Sequence, residues 1–181
     1  RAKTMAAAEK NCQLLLDAVN TEQAEGYIVF QTNQATDDHL ADNKTDVVIN
    51  TSILKRGTVV IETKDNGKLL AFAESGEIKL LSQWLEKGDK IEFNGLKSPD
   101  GSIHLEKMRV LIAAPKRKRP LCKDCQVTMK SMGKNQPVRC PKCRRTSQTL
   151  WLEIERLPPS KDWLQPPIDA RRHLSRPLDW N

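Results

Sequence analysis

Cys122-Lys-Asp-Cys125 and Cys140-Pro-Lys-Cys143 carry the clearest chemistry in this sequence. Two residues lie between the thiols of each pair, and fourteen residues separate the pairs. A Cys-x-x-Cys turn aims two sulfurs at one point. Two such turns joined by a hairpin make a closed tetrahedral Zn²⁺ site. Gly133 suits the tight turn of that hairpin. The usual ribbon spacing is about 15–20 residues, so this one falls one residue short. A redox pair or two disulfides are the alternatives, but a redox Cys-x-x-Cys normally occurs once, beside a βαβ pattern that is missing here. Four thiolates leave no open coordination position, so the metal is expected to be structural.

A ribbon of this size cannot fold on its own apolar surface, so the other residues of the 181 must supply the main core. The fifth cysteine, Cys12, lies in an amphipathic stretch and reads as a buried small apolar residue. Metal-type cysteine spacing points to a reducing, cytoplasmic compartment. No apolar run reaches membrane-spanning length and no signal peptide is visible. The chain starts at Arg1 with a helical pattern already running, as expected of a fragment of a longer protein.

The net charge of +7 hides an asymmetry. Residues 1–115 carry 14 Lys+Arg against 17 Asp+Glu, whereas residues 116–181 carry 16 against 6. Four zinc-bound thiolates would leave the second block strongly positive. Such a block favours a polyanion, RNA or DNA, over a merely solvated surface, and no amphipathic basic helix argues for a membrane. The candidate RNA-binding residues are Lys116, Arg117, Lys118, Arg119, Lys142, Arg144, Arg145, Arg171 and Arg172.

Along the chain, residues 3–19 read as a helix with Met5, Ala8, Cys12, Leu15, Leu16 and Val19 on one stripe. Tyr27-Ile-Val-Phe30 reads as a short strand leading into the polar loop 31–40. Strand patterns follow at Val47–Leu54, Thr58–Thr63 and Lys68–Ala73, with an Asp65-Asn66-Gly67 hairpin. A helical stripe of Ile78, Leu81, Trp84 and Leu85 stops at Gly88, and strands at Ile91–Leu96 and Ile103–Leu111 complete the run. Three strands, a helix and two strands form the pattern of an OB-fold, a small Greek-key barrel. Trp84 is expected to plug its core. The fold class is therefore mainly β with some α: an OB-fold barrel followed by a zinc ribbon, preceded by a short α/β segment. Pro115-Lys-Arg-Lys-Arg-Pro120 is a basic linker, and residues 151–181 form a proline-rich tail with a short strand or helix near 151–157.

Four separated motifs then coincide. They are Tyr27-Ile-Val-Phe-Gln-Thr-Asn-Gln34 with Thr36-Asp-Asp-His-Leu40, Leu105-Glu-Lys-Met-Arg-Val-Leu111, Met129-Lys-Ser-Met-Gly-Lys134, and Arg171-Arg-His-Leu-Ser-Arg-Pro-Leu178. With them the chain resembles the C-terminal part of the archaeal tRNA(Ile) agmatinylcytidine synthetases (agmatidine synthases). These ligases conjugate agmatine to the wobble cytidine of a CAU-anticodon isoleucine tRNA at the expense of ATP. The resemblance implies that residues 1–44 end a ferredoxin-like domain, 45–114 form the OB-fold, 115–150 the linker and ribbon, and 151–181 the tail. It also implies that Thr32, Asn33, Gln34 and Asp37 face the catalytic domains and help hold the small substrate or the tRNA. Ala35 departs from the family's Gly, so a positive φ there would be strained.

The eight glycines are scattered at turns and form no phosphate loop. ATP and Mg²⁺ are therefore expected only through domains outside these residues, and no catalytic residue is assigned. Two other readings compete: a free-standing OB-fold and ribbon that binds nucleic acid, and a ribbon that holds a protein partner. Sequence-tolerant single-strand binders stack bases on exposed aromatic side chains. The barrel region offers only Phe72, Trp84 and Phe93, which argues for docking a folded tRNA instead.

Overall fold

The computed structural model describes residues 2–18, 24–32 and 34–180. Five strands close a barrel in the order β1-β2-β3-β5-β4: β1 Lys44–Ile53, β2 Val59–Thr63, β3 Gly67–Ala71, β4 Lys90–Lys97 and β5 Ile103–Ile112. All pairings are antiparallel except β3 with β5, the short parallel contact that shuts the barrel. This is the OB-fold read from the sequence. Helix α2, Glu77–Trp84, lies between β3 and β4 and plugs one end with Ile78 and Leu81, both buried. Val48, Ile61, Leu69, Ile91, Phe93 and Met108 fill the interior. Each such side chain contributes about 1.5–3 kcal/mol by leaving water.

Two details fix the barrel's shape. At Gly95 the register between β4 and β5 shifts, and a Cβ there would lie 2.2 Å from the His104 carbonyl oxygen. Only glycine allows the strands to approach so closely. Asp46 in β1 is 3% exposed and accepts hydrogen bonds from the backbone N–H of Val47, Asp65 and Asn66 and from the Asn66 side chain. It thereby ties the β2–β3 hairpin, whose Gly67 has φ +74°, to the first strand.

Beyond the barrel, a two-stranded sheet pairs β6, Lys116–Lys118, with β10, Leu152–Ile154. The zinc-ribbon segment hangs between them as three two-residue strands, β7 Lys130–Ser131, β8 Val138–Arg139 and β9 Thr146–Ser147. The chain then returns to the barrel. Arg156 reaches the fully buried Asp89 at 2.7 Å and lies 4.1 Å over the Trp84 ring. Trp84 is thus half-buried against the core beneath a guanidinium. Leu164 exchanges backbone hydrogen bonds with Met108 of β5. The tail lacks regular structure for most of its length, yet it is packed down rather than loose.

Three expectations need correction. Tyr27–Phe30 is not a strand: no described element offers it a hydrogen-bonding partner, and Ile28 and Phe30 are 77% and 75% exposed. The first helix, α1, spans Met5–Leu16 with Thr4 as its N-cap, and none of its residues is buried. Cys12 is accordingly half-buried, not a core residue. Val19 of the expected stripe lies outside the described residues.

Asp46 gives the first testable outcome. Burial pushes its carboxyl up, but the Asn66 side chain and the backbone N–H groups more than offset this, so its pKa lies below the ordinary carboxylate value. A depressed carboxylate stabilises the fold above its unfolded pKa and loses that contribution as pH falls through the folded one. Asp46→Ala, which leaves the hairpin N–H groups unpaired, should cost about 1–3 kcal/mol at neutral pH. In thermal melts the difference from the parent should shrink in acid. A constant difference from pH 7 down to pH 2 would contradict it.

Candidate metal centre and nucleic-acid face

The two cysteine turns of the ribbon are built alike. In the first, Gln126 N–H donates to Cys122 O at 2.9 Å, and Cys122 N–H donates to Val127 O at 2.9 Å. In the second, Arg144 N–H donates to Cys140 O at 3.1 Å, and Cys140 N–H donates to Arg145 O at 2.8 Å. The residue after each second cysteine, Gln126 or Arg144, turns back with φ of +52° or +61°. The four Sγ atoms all lie within 4.8 Å of one another, and Cys122 and Cys143 are 3.5 Å apart. Sulfurs about 2.3 Å from a tetrahedral Zn²⁺ sit about 3.8 Å from each other, so the donor set fits the metal.

The thiols themselves show why a cation belongs there. Burial raises the Cys140 thiol, but the backbone N–H groups of Cys143 and Lys142 more than offset this and bring it down to about 7. Hydrogen bonding to Cys143, with burial and Cys140 beside it, holds Cys125 up at about 12. Four thiolates cannot share this volume without a positive charge. The apolar support is slight: Met129 and Val138 are buried, with Val127, Cys125 and Leu150 packed around them. The ribbon therefore takes its stability from structural zinc.

The basic candidates divide by environment. Lys118, Lys142 and Arg144 are exposed and form no ion pair among the described residues. Lys116, Arg117 and Arg145 pair with Glu86, Glu153 and Asp124 at 2.7, 3.1 and 2.9 Å on the open surface. Such exposed pairs contribute only about 0–1 kcal/mol, so a phosphate can replace the carboxylate. Arg119 donates to Leu150 O and stacks 3.8 Å over the Trp151 ring, which is 45% exposed. Arg171 and Arg172 stand elsewhere, on the barrel. Arg171 donates to Gln165 Oε1 at 2.9 Å, and Arg172 Nε lies 2.8 Å from Glu106 Oε1.

The loop candidates divide too. Thr32 and Gln34 are exposed, and Thr32 Oγ1 accepts from Gln34 N–H. Both line an open groove of 580 Å³ beside Met5, Phe30 and Trp180. Asn33 lies outside the described residues. Asp37 points inward: its carboxylate meets Lys107 Nζ and accepts from Arg176 N–H at 2.7 Å. Ala35 and Asp37 adopt φ of +59° and +66°, so the strain foreseen at Ala35 is present. His39 Nε2 lies 2.9 Å from Glu106, whose carboxylate also accepts from Ser175 Oγ.

Sequence reasoning does not single out Glu106, Lys107, His39 and Ser175 as a unit. The available signal is Leu105-Glu-Lys-Met108, two adjacent charges in mid-strand, where alternation allows only one to face water.

Residues 119–156 match the family model of the TiaS C-terminal zinc ribbon domain. The tRNA 2-agmatinylcytidine synthetase TiaS of Archaeoglobus fulgidus is 32% identical over 90% of this chain, and that of Methanocaldococcus jannaschii is 31% identical over 93%. The chain spans only 43% and 45% of those two proteins. Among solved structures, the complex of TiaS with its tRNA and ATP is similar with a TM-score of 0.63 and 31% identity, over 81% of this chain and 39% of that one. Apo TiaS gives a TM-score of 0.59 at the same identity and coverage of this chain. The chain resembles the C-terminal part of this synthetase.

Cys140→Ser should release the zinc and unfold the ribbon while the barrel, which has its own core, still melts cooperatively. Native mass spectrometry with and without the substitution reads the metal directly, and retention of one zinc would refute the four-cysteine assignment. Ala35→Gly is expected to act the other way. A left-handed L-residue costs roughly 1–2 kcal/mol, against about 0.4–1 kcal/mol for the greater unfolded freedom of glycine. Denaturant melts should therefore show a gain of up to about 1.6 kcal/mol; a clear loss would mean that the Ala35 backbone is not strained.

Proposed function

We propose that this chain is the tRNA-binding C-terminal portion of an ATP-dependent synthetase that conjugates agmatine to the wobble cytidine of the CAU-anticodon isoleucine tRNA. The observation that carries the reading is the combination of a basic, metal-fixed ribbon and an OB barrel, both inside one continuous resemblance to TiaS that covers 90% of the chain. The parts divide as residues 1–44 from the end of a ferredoxin-like domain, 45–114 as the OB-fold, 115–150 as linker and ribbon, and 151–181 as the tail. The chemistry, with ATP and Mg²⁺, belongs to domains outside these residues.

Lys116, Arg117, Lys118, Arg119, Lys142, Arg144 and Arg145 supply the contacts to phosphate. Trp151 beneath Arg119 adds a flat surface at the same edge. Thr32 and Gln34 face the small substrate or the tRNA across the groove, Asn33 belongs to the same substrate set, and Asp37 holds the loop in place. The compartment is the cytoplasm, where thiols stay reduced and tRNA is found. No helix among the described residues is long and apolar enough to cross a membrane.

A free-standing single-strand binder is the alternative class. Against it, Phe93 is fully buried, Trp84 is covered by Arg156 and Phe72 lies edge-on to His104 at 4.8 Å. The barrel so lacks the open aromatic platform that sequence-tolerant binding uses.

The test has two arms. Affinity for the isoleucine tRNA should fall steeply with salt, and removing Lys142 and Arg144 together should reduce the log–log slope by roughly 1.4–1.8 if each engages one phosphate. Equal affinity for tRNA, duplex DNA and heparin would leave only a generic basic surface. Incubated with ATP, agmatine and the tRNA, the isolated chain should form no modified nucleoside, whereas the full-length synthetase should. Modification by the isolated chain would overturn the division of labour.

A further inference from the structure

Five non-glycine residues among those described have positive φ. Gln126 and Arg144 close the two cysteine turns, and Asn135 sits in the β7–β8 hairpin. Ala35 and Asp37 close no hairpin and no metal turn. They bend a loop whose exposed residues, Thr32 and Gln34, line the groove. Strained backbone of this kind persists only where the surroundings over-determine it.

The surroundings do so here from two distant segments, the tail and strand β5. The tail runs alongside the loop and accepts from it: Ala35 N–H donates to His173 O at 3.0 Å and Asp37 N–H to Leu174 O at 2.9 Å. Arg176 answers through its backbone N–H to Asp37 Oδ1 and through Nε to Ala35 O. Strand β5 then fastens both. Lys107 holds Asp37 of the loop, while Glu106 holds His39 of the loop and Ser175 and Arg172 of the tail. Glu106 is 5% exposed and Ser175 2% exposed. A carboxylate so buried is tolerable only because three donors surround it.

We propose that Glu106, Lys107 and Ser175 are positioning residues for the reaction. They hold the strained Ala35 and Asp37, and with them Thr32 and Gln34 at the groove, and so set how the small substrate is met, without touching it. The inference rests on the reading of the preceding subsection. Its chemistry follows from geometry: groups that orient a ligand must themselves be locked, and a displacement of about 1 Å can cost up to about a hundredfold in rate.

The variant is Glu106→Gln, which keeps the side-chain volume and replaces one acceptor oxygen by a donor. In the full-length synthetase we expect hydrogen exchange at the Ala35 and Asp37 amides to quicken. We expect kcat/KM for agmatine to fall by on the order of tenfold, with tRNA affinity unchanged. On a Thr32→Ala, Gln34→Ala background, already impaired at the loop, the same variant should lower stability again but add no further loss of activity. That non-additivity separates positioning from a merely structural role. Quickened exchange with unchanged kcat/KM would overturn the proposal. So would tRNA affinity falling in step with activity, or full additivity with the loop changes. Should Glu106→Gln not fold, Ser175→Ala, which removes one donor and leaves the carboxylate two, is read in the same way. A parent enzyme that conjugates no agmatine would bring down the functional reading and this inference with it. An active parent whose variant is unaffected would overturn this inference alone.

Discussion

Glu106 and Lys107 are neighbours on one strand, 5% and 9% exposed, and neither can be left without its partner. Successive side chains on a regular strand point to opposite faces, but the register with β4 slips at Glu106, between the Asn94–Lys107 and Gly95–Leu105 pairs, so both charges turn to the outer side of β5. The inner side of β5 is the barrel core around Met108 and Leu105. Its outer side is roofed by the loop 35–39 and the tail 172–176, held by carboxylate, ammonium and guanidinium groups. Burying such charges unpaired would cost several kcal/mol each. The roof and the strand are therefore conditions for one another: without the roof the charges would be better in water, and without the charges the roof would have little to hold it. Apolar burial cannot do this work, because the tail from Pro158 onward contributes few enclosed apolar side chains.

The same economy governs how the ribbon is attached. Its own core of Met129 and Val138 is too small to orient it, so the metal fixes its interior and the two-stranded sheet β6–β10 fixes its base. That sheet is anchored in turn by Arg156, which enters the barrel between Asp89 and Trp84 just after β10 ends. Asp89 also accepts from the backbone N–H of Glu86 and Ala114. One buried carboxylate thus ties the end of α2, the exit from β5 and the return from the ribbon.

What was legible in the sequence is what local physics decides. Alternation of β-branched residues located all five barrel strands, Asn66-Gly67 located their hairpin, and cysteine spacing located the metal. What stayed illegible depends on contacts between residues far apart in sequence. Tyr27–Phe30 has strand composition, but a strand needs a partner edge, and none of the described elements supplies one. The helix α1 has an apolar stripe with nothing buried along it, since a stripe records what a helix could cover and not what is there. The tail reads as proline-rich and irregular, and it is irregular. Nothing in Arg171–Leu178 taken alone says that Ser175 will sit on a carboxylate 69 positions earlier. Asp37 read as a polar loop residue open to a ligand, whereas its carboxylate is engaged by Lys107 and Arg176.

That last outcome changes how the positive charge should be understood. Composition alone makes the block from residue 116 to 181 look like one polyanion-binding surface. The contacts split it in two. On the ribbon and linker, arginines and lysines are exposed or held by weak surface pairs that a phosphate can displace. On the barrel, Arg156 and Arg172 are engaged with carboxylates that are themselves buried, so a phosphate would have to compete with Asp89 or Glu106 for them. The first group is open to an incoming anion, and any such contact would weaken with ionic strength because counterions compete for the same charges. The second group sets shape and should be nearly indifferent to salt. A basic sequence block is therefore a poor measure of a binding surface until each charge has been assigned a partner, and here the charges left open to a polyanion lie on the ribbon and linker.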